Sequence, residues 1–331
     1  MSSPRHWQTR GPLAMLLLPL AALLATVAAA RRLAYRGGLL RARRAGVPVI
    51  VVGNITAGGT GKTPLVLWLA QFLRQRGRHP GIVSRGYGAA RTDPRAVPAG
   101  SAPHEYGDEP CLLAGRAGCP VWVGTDRAAT AHALRTAHPE IDVIISDDGL
   151  QHYRLARDFE IALIDGARGL GNGWPLPAGP LREPASRLAA VDAVVVNGGP
   201  VAGAWPQAIT MRLQGHDFHN LRDPQQVVQA AHFRKQQVHA VAGIGNPQRF
   251  FAHLQRLGLA CTMHEFPDHH AYTPRDLQFA GADHVVMTEK DAVKCTAFAT
   301  ERHWALIVNA AIDDRLGEMI IARLAQANRH G

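Results

Sequence analysis

The sequence predicts an α/β fold: a mostly parallel sheet with helices on both faces, a second and smaller α/β domain, and a hydrophobic helix at the N-terminus. Three observations carry this. From residue 47 onward, short β-branched apolar runs alternate with stretches of helical period, the pattern of strands buried on both faces and their crossover helices. A Gly- and Pro-rich passage at 198–206 divides a first such series from a second. Ahead of both, residues 13–30 form one apolar run.

Length and charge set the frame. With 331 residues, 47% hydrophobic and 19% charged, the chain holds one large domain or two ordinary ones. A wholly disordered chain and a stapled peptide are excluded. The four cysteines (Cys111, Cys119, Cys261, Cys295) are widely spaced with no C-x-x-C, so neither a zinc knuckle nor a disulfide framework is expected. A reducing compartment is the simplest reading. The net charge of +10 invites a nucleic-acid reading. Eight of the 36 basic residues, all arginine, lie in residues 1–46 without an acid, which leaves 28 basic against 26 acidic residues in the body. Basicity belongs to the N-terminal flank, and no nucleic-acid partner is expected.

In the N-terminal segment, only Pro19 and Thr26 interrupt the run 13–30. As a helix it would be roughly 27 Å long, just short of a comfortable span. Trp7 precedes it as an interfacial aromatic would, and Arg31, Arg32, Arg36, Arg41, Arg43 and Arg44 follow. A signal peptide cleaved near Ala28-Ala29-Ala30 is the competing reading. The heavier positive charge after the run favours an anchor over residues 1–46, its arginines on the cytoplasmic side beside anionic headgroups. Whether it spans or lies in one leaflet stays open.

The body, 47–205, starts with a strand at 47–52 and a helix at 61–76 closed by Gly77. Further strands fall at 81–84, 120–123, 141–146, 159–164 and 193–196, with a helix at 126–138. The loop 166–184 is too long for a plain connector and reads as functional. After the linker, residues 206–331 form the smaller domain, expected to close over the cleft. It has strands at 238–242, 284–287 and 305–308. A helix capped by Asn246 with Pro247 at its first position ends before Gly258, and an amphipathic helix fills 313–327.

The sharpest motif lies between the first strand and first helix of the body. It runs Gly53-Asn54-Ile55-Thr56-Ala57-Gly58-Gly59-Thr60-Gly61-Lys62-Thr63. Strand, Gly-rich turn and helix are the context of a phosphate loop, which makes the body a P-loop NTPase type. Backbone N–H groups of 58–62 would cradle the β-phosphate of ATP, Lys62 would reach the β- and γ-oxygens, and Thr63 would bind Mg²⁺. Thr56 replaces the usual first glycine.

Other motifs admit two readings each. The strand 141–146 ends in Asp147-Asp148, where a P-loop sheet supplies a magnesium-side acid or where a turn is simply capped. Gly149-Leu-Gln151-His152 adds neutral donors. Asp108 and Glu109, before Pro110, suit a general base, a metal ligand or a helix start. His264, Asp268, His269 and His270 could hold zinc or supply an Asp-His pair. In Thr288-Glu-Lys290-Asp291, Lys290 either approaches an anion or opens a solvated helix. Gly243-x-Gly245 lacks the third glycine of a dinucleotide fingerprint. Ser84-Arg85-Gly86-Tyr87-Gly88 reads as a phosphate or substrate contact or as a turn.

Together and in order, these stretches resemble the tetraacyldisaccharide 4'-kinase family of lipid A biosynthesis. The stretches are Val52–Pro64, Ser84–Gly88, Gly107-Asp-Glu-Pro110, Asp147–His152, Leu176-Pro-Ala-Gly-Pro-Leu-Arg182-Glu-Pro184, Ala242–Pro247, Asp268-His269 and Thr288–Asp291. Thr56 is how that family's loop usually reads. The resemblance covers essentially the whole chain. It implies a kinase at the cytoplasmic face of the bacterial inner membrane that moves the ATP γ-phosphoryl to the 4'-hydroxyl of a tetraacylated disaccharide 1-phosphate, giving lipid IVA. It also implies Asp108 as base supported by His269, with Lys62 and Arg182 supplying charge. Thr63, Glu109, Asp147 and Asp148 fall near Mg²⁺. Asn54, Arg85, Gln151 and His152 fall near the acceptor. The expected partners are this glycolipid and an anionic membrane surface, with no obligate protein partner. The rival reading is a membrane-tethered P-loop ATPase or GTPase without a lipid product; the GTP-specific Asn-Lys-x-Asp is absent.

Overall fold

The computed structural model describes residues 4–86, 91–198, 205 and 207–327. Tyr87 and Gly88 of the expected turn, and most of the linker 198–206, lie outside the described residues.

The N-terminal run is two helices rather than the single one expected. Helices α1 (Pro12–Leu16) and α2 (Leu18–Arg36) meet at Leu17. Pro19 is the cause: it has no N–H to donate and its ring excludes the carbonyl one turn back, so it is accommodated in the first turn of a new helix. By length and composition α2 can cross a membrane. Leu16, Leu20, Leu23, Leu24 and Val27 are exposed, while only Ala21 of α2 is buried. Its C-terminal end meets the body, where the Tyr35 and Tyr153 rings lie 6.1 Å apart.

The first sheet begins with β1 (Val49–Gly53), α3 (Lys62–Gln75), β2 (Pro80–Ser84) and the short β3 (Arg95–Ala96). Helices α4 (Pro103–Tyr106) and α5 (Asp108–Arg116) lead to β4 (Val121–Val123), α6 (Arg127–Ala137), β5 (Val143–Asp147), β6 (Phe159–Asp165), β7 (Ala193–Asn197) and β8 (Ile209–Gln214). The second sheet takes β9 (Asp217–Asn220), β10 (Val227–Gln229), β11 (Val238–Ala242), β12 (Cys261–Glu265), β13 (His284–Thr288) and β14 (His303–Leu306). Helix α7 (Pro247–Arg256) follows β11, and α8 (Glu289–Cys295) follows β13. The chain then returns to the first sheet with β15 (Asn309–Ile312) and α9 (Arg315–Ala327).

The first sheet has the order β15-β8-β7-β6-β1-β5-β2-β4-β3 and is parallel except at its two edges. Period-2 alternation sends Ile50 and Val52 of β1 to one face, against Leu65, Leu69 and Leu73 of α3, and Val49 and Val51 to the other, near Leu134 of α6. The second sheet, β10-β9-β14-β13-β11-β12, packs Phe250, Phe251 and Leu254 of α7 on one face and Ala292 and Cys295 of α8 on the other.

The expected division at 205/206 does not follow the sheets. Strands β8 and β15 belong to the first sheet, and Leu316, Ile320 and Leu324 of α9 lie in the core beneath α3. The second unit is therefore inserted between β8 and the edge strand β15 of the first. All four cysteines are free thiols. Burial pushes those of Cys111, Cys119 and Cys295 up to about 12.

Candidate active site

Parallel strands present all their C-terminal ends on one edge, and here that edge is polar. Ser84 ends β2, Asp147 ends β5, Asp165 ends β6 and Asn197 ends β7, all four buried. Register sets Asp147 beside Val52 of β1 and Asn197 beside Asp165. The Gly-rich loop leaves β1 between them, at the point where the crossovers diverge to either side of the sheet. Gly58 and Gly61 turn with φ of 98° and 91°, a region L-side chains avoid. A Cβ at Gly61 would also collide with the Asn197 carboxamide.

Lys62 opens α3 and points back over the loop. Its Nζ lies 3.4 Å from Asp148 Oδ1 and donates to Asn54 Oδ1 at 3.3 Å. Arg182 Nη1 lies 3.1 Å from Asp148 Oδ2. Asp148 sits at φ 48°, left-handed backbone that Asp tolerates better than most residues. Burial would raise its carboxyl, but Lys62 and Arg182 outweigh that and hold it down to about 2. Asp147 behaves oppositely. Burial, then the charges of Glu109 and Asp148, push it up to about 6, against Lys62 and the 2.9 Å bond from Ser84 Oγ. Glu109 of α5 is thus close enough to the strand end to be felt there.

The loop 166–184 lies directly on the phosphate loop. Ala57 N–H donates to Pro180 O at 2.8 Å, Arg182 N–H donates to Ile55 O at 2.7 Å, and Thr56 bridges to Leu181. This is how Arg182 comes to Asp148. Gln151 Nε2 donates to Asn54 O at 3.2 Å and to Glu183 at 3.1 Å. Asn54 is fully buried, with its Nδ2 donating to Thr56 O at 2.7 Å. Asn54 therefore braces the phosphate loop. Arg85 is exposed beyond β2. His152 is pushed down to about 4 by burial and then by Arg127 and Arg85, so it is a neutral imidazole at physiological pH.

The second unit completes the site. Helix α5 begins at Asp108, after Gly107, whose φ of 92° suits glycine. Asp108 and Glu109 occupy its first turn, where the helix dipole favours carboxylates. His269, in the turn after β12, donates from Nδ1 to Asp108 Oδ2 at 3.0 Å. Burial would raise Asp108, but that bond, then Lys294 and Lys290, hold it below the usual carboxylate range. A Cβ on Gly245 would stand 3.6 Å from Gly59 N, so the loop after β11 also comes against the phosphate loop.

The zinc reading is not met. His264 stacks on Phe279 and pairs with His239, while His270 pairs with Asp276 at 3.4 Å. Among the described residues no three His, Cys, Asp or Glu side chains are grouped to hold a metal. Mg²⁺ asks less of the protein, because phosphates and water fill most of its shell. The acids at this edge, Asp147 and Asp148 with the charge of Glu109 felt at Asp147, are hard oxygen donors of the kind Mg²⁺ takes. Asp147, raised first by burial and then by the charges of Glu109 and Asp148, is a carboxylate whose charged form a nearby cation would favour.

Several residues were not singled out from the sequence. Arg168 lies over the phosphate loop and donates to Gly59 O. Arg249 of α7 reaches back to Asp165 at 3.5 Å and to Asn197 Oδ1 at 3.1 Å, and Asn197 Nδ2 holds Thr60 O at 2.9 Å. Buried Arg127 donates to Asp147 O at 3.1 Å. The ends of β6 and β7, read as strand ends in a P-loop sheet, were the available signal for Asp165 and Asn197. Nothing local marks the arginines.

The chain resembles known proteins over nearly its whole length. The family profile described as tetraacyldisaccharide-1-P 4'-kinase matches residues 13–325. A tetraacyldisaccharide 4'-kinase of Methylobacillus flagellatus is 52% identical over 97% of this chain and 95% of its own. One of Azoarcus sp. (strain BH72) is 52% identical over 98% and 95%. The crystal structure of LpxK from Aquifex aeolicus in complex with ATP superposes with a TM-score of 0.81 at 28% identity, covering 94% of this chain and 99% of that one. The chain belongs to the tetraacyldisaccharide-1-P 4'-kinase family.

Proposed function

We propose that the chain is an ATP-dependent kinase that phosphorylates the 4'-hydroxyl of a tetraacyldisaccharide 1-phosphate, forming lipid IVA, at the cytoplasmic face of the bacterial inner membrane. The carrying observation is the 3.0 Å contact between Asp108 and His269, which joins two halves of the chain beside a phosphate loop. A carboxylate oriented by an imidazole beside a phosphate loop supplies the base that an alcohol acceptor needs.

The roles follow from charge and position. Backbone N–H groups of Gly58, Gly59, Thr60 and Gly61 and the N-terminus of α3 face the β-phosphate. Lys62 and Arg182, both paired with Asp148, bring positive charge to the transferring group. Thr63, Asp147, Asp148 and Glu109 would hold Mg²⁺, which when bound neutralises charge on the β- and γ-oxygens. The 4'-oxygen forms its bond to the γ-phosphorus as the bond to the β–γ bridging oxygen breaks. Asp108 takes the hydroxyl proton, and ADP leaves. His269 orients the Asp108 carboxylate through Nδ1–H. Because the pair spans two units, closing them assembles the base and excludes water together, which limits idle hydrolysis. Arg85 and the neutral His152 face the acceptor side.

The exposed leucines of α1 and α2 moor this cleft at the bilayer, with Arg31, Arg32 and Arg36 at anionic headgroups. The acceptor cannot leave the membrane, since each acyl CH₂ drawn into water costs about 0.8 kcal/mol. The test is direct: supply γ-labelled ATP and the tetraacyl disaccharide 1-phosphate in mixed micelles. Label is expected in the lipid. Label released only as inorganic phosphate would favour the tethered ATPase instead.

A further inference from the structure

Helix α8 carries a lysine that the phosphate chemistry does not use. Lys290 stands in the first turn of α8, where the helix dipole disfavours a cation, so helix stability does not account for it. Its ammonium is mostly buried and lies 3.4 Å from Glu109 Oε1 and 3.5 Å from Asp268 Oδ1. These two partners are the chain neighbours of the catalytic pair, Glu109 beside Asp108 and Asp268 beside His269. Asp268 Oδ1 is buried with no hydrogen bond among the described residues. The ammonium is the cation that balances it.

The surroundings make the arrangement specific. One turn on, Lys294 lies 4.0 Å from Asp108 and 2.9 Å from Asp291, so positions i and i+4 of α8 present one cationic stripe to the start of α5. At the far end of α5, Arg116 meets Glu289 at 2.7 Å. Meanwhile His269 is held at φ 61°, left-handed backbone that most non-glycine residues avoid. Its backbone neighbour Asp268 is fixed by Lys290.

We propose that Lys290 is a positioning residue for phosphoryl transfer: it ties Glu109 of the first unit to Asp268 of the second and so registers His269 on Asp108. Its contacts are with Glu109 and Asp268, so it acts through the pair. This rests on the kinase reading above. The alternative, that Lys290 only glues α8 to α5, predicts lost stability without a selective effect on transfer.

The experiment measures kcat and KM for ATP and acceptor, ATP affinity and melting temperature for the full chain in micelles. The variants are Lys290→Met, Lys290→Arg and Asp268→Asn, and Lys290→Met is also made on a His269→Ala background. Lys290→Met and Asp268→Asn should each lower kcat by about 10- to 100-fold with ATP affinity within about two-fold of the parent. Lys290→Arg, keeping the charge, should recover to within about five-fold. On the His269→Ala background Lys290→Met should cost less than about two-fold, since groups acting as a unit are not additive. Near-normal kcat in both Lys290→Met and Asp268→Asn, or a full additional loss on the His269→Ala background, overturns the proposal. Should Lys290→Met not fold, Asp268→Asn and Lys290→Arg decide. Absence of lipid phosphorylation by the parent chain would overturn the kinase reading instead.

Discussion

Lys62, Asp148 and Arg182 form one electrostatic unit, and each contact is visible only in three dimensions. The sequence marked Lys62 by its place in the Gly-rich loop and Asp148 by its place after an apolar strand. Arg182 needed the fold of loop 166–184 to reach them. Lys62→Ala removes the cation nearest the transferring phosphoryl and leaves Asp148 with Arg182 alone. It should lower kcat by roughly 10²- to 10³-fold with little change in melting temperature, measured by transfer assay and thermal unfolding. His152 supplies a prediction in pH. Its folded pKa of about 4 lies below its ordinary 6.5, so the unfolded chain binds the extra proton between those values. Stability is therefore lost as pH falls from 6.5 to 4, at up to about 1.4 kcal/mol per pH unit from this group. His152→Gln should flatten the fall in melting temperature over that window; an unchanged slope would show that folding does not lower the pKa of His152.

Strands buried on both faces were legible because they are continuous apolar runs: β1, β5, β6, β7, β11 and β13 all lie where such runs predict. The missed strands are the half-exposed ones. β12 reads Cys-Thr-Met-His-Glu, and no residue in it is fully buried; it is an edge strand, so one face and one side meet solvent and no apolar run is needed. The loop 166–184 was legible as functional by length and composition, but its mooring was not. Asn172 is buried and holds it: Nδ2 donates to His6 O at 2.9 Å, Thr9 O at 3.2 Å and Ala178 O at 2.9 Å, and Oδ1 accepts from Trp174 N–H at 3.0 Å. Trp7 Nε1 and Arg10 Nε add bonds to Pro177 O and Asn172 O. The segment that leads into the anchor is thus stitched to the loop that presses on the phosphate loop. Asn172→Ala strands one buried and two part-buried backbone carbonyls and should cost about 2–4 kcal/mol. Limited proteolysis should then cut within 166–184 first, whereas cleavage at the parent's rate would mean that other contacts hold the loop.

Two units with one cleft were expected, but their boundary was not legible. Gly- and Pro-rich composition marks a flexible passage, whereas sheet membership is decided by pairing partners far away in the chain. Residues 209–214 pair with β7 on one side and with 309–312 on the other. Leu316, Ile320 and Leu324 then close the core that supports α3. Ending the chain at residue 308 removes no residue of the site, yet it strips three buried leucine-sized side chains and an edge strand from the phosphate-loop unit. Each such loss costs about 2–5 kcal/mol. The truncated chain should lose ATP binding together with its cooperative melting transition; unchanged melting would show that α9 is dispensable.

The whole account turns on Asp108 accepting the acceptor's proton within a cleft built from both units. The most direct measurement is the transfer rate of Asp108→Asn at saturating ATP and lipid acceptor, taken with its ATP affinity. The carboxamide keeps the shape but cannot take the proton, so kcat should fall by about 10²- to 10⁴-fold while ATP binds as before. Transfer at near the parent's rate by a folded Asp108→Asn chain would contradict it.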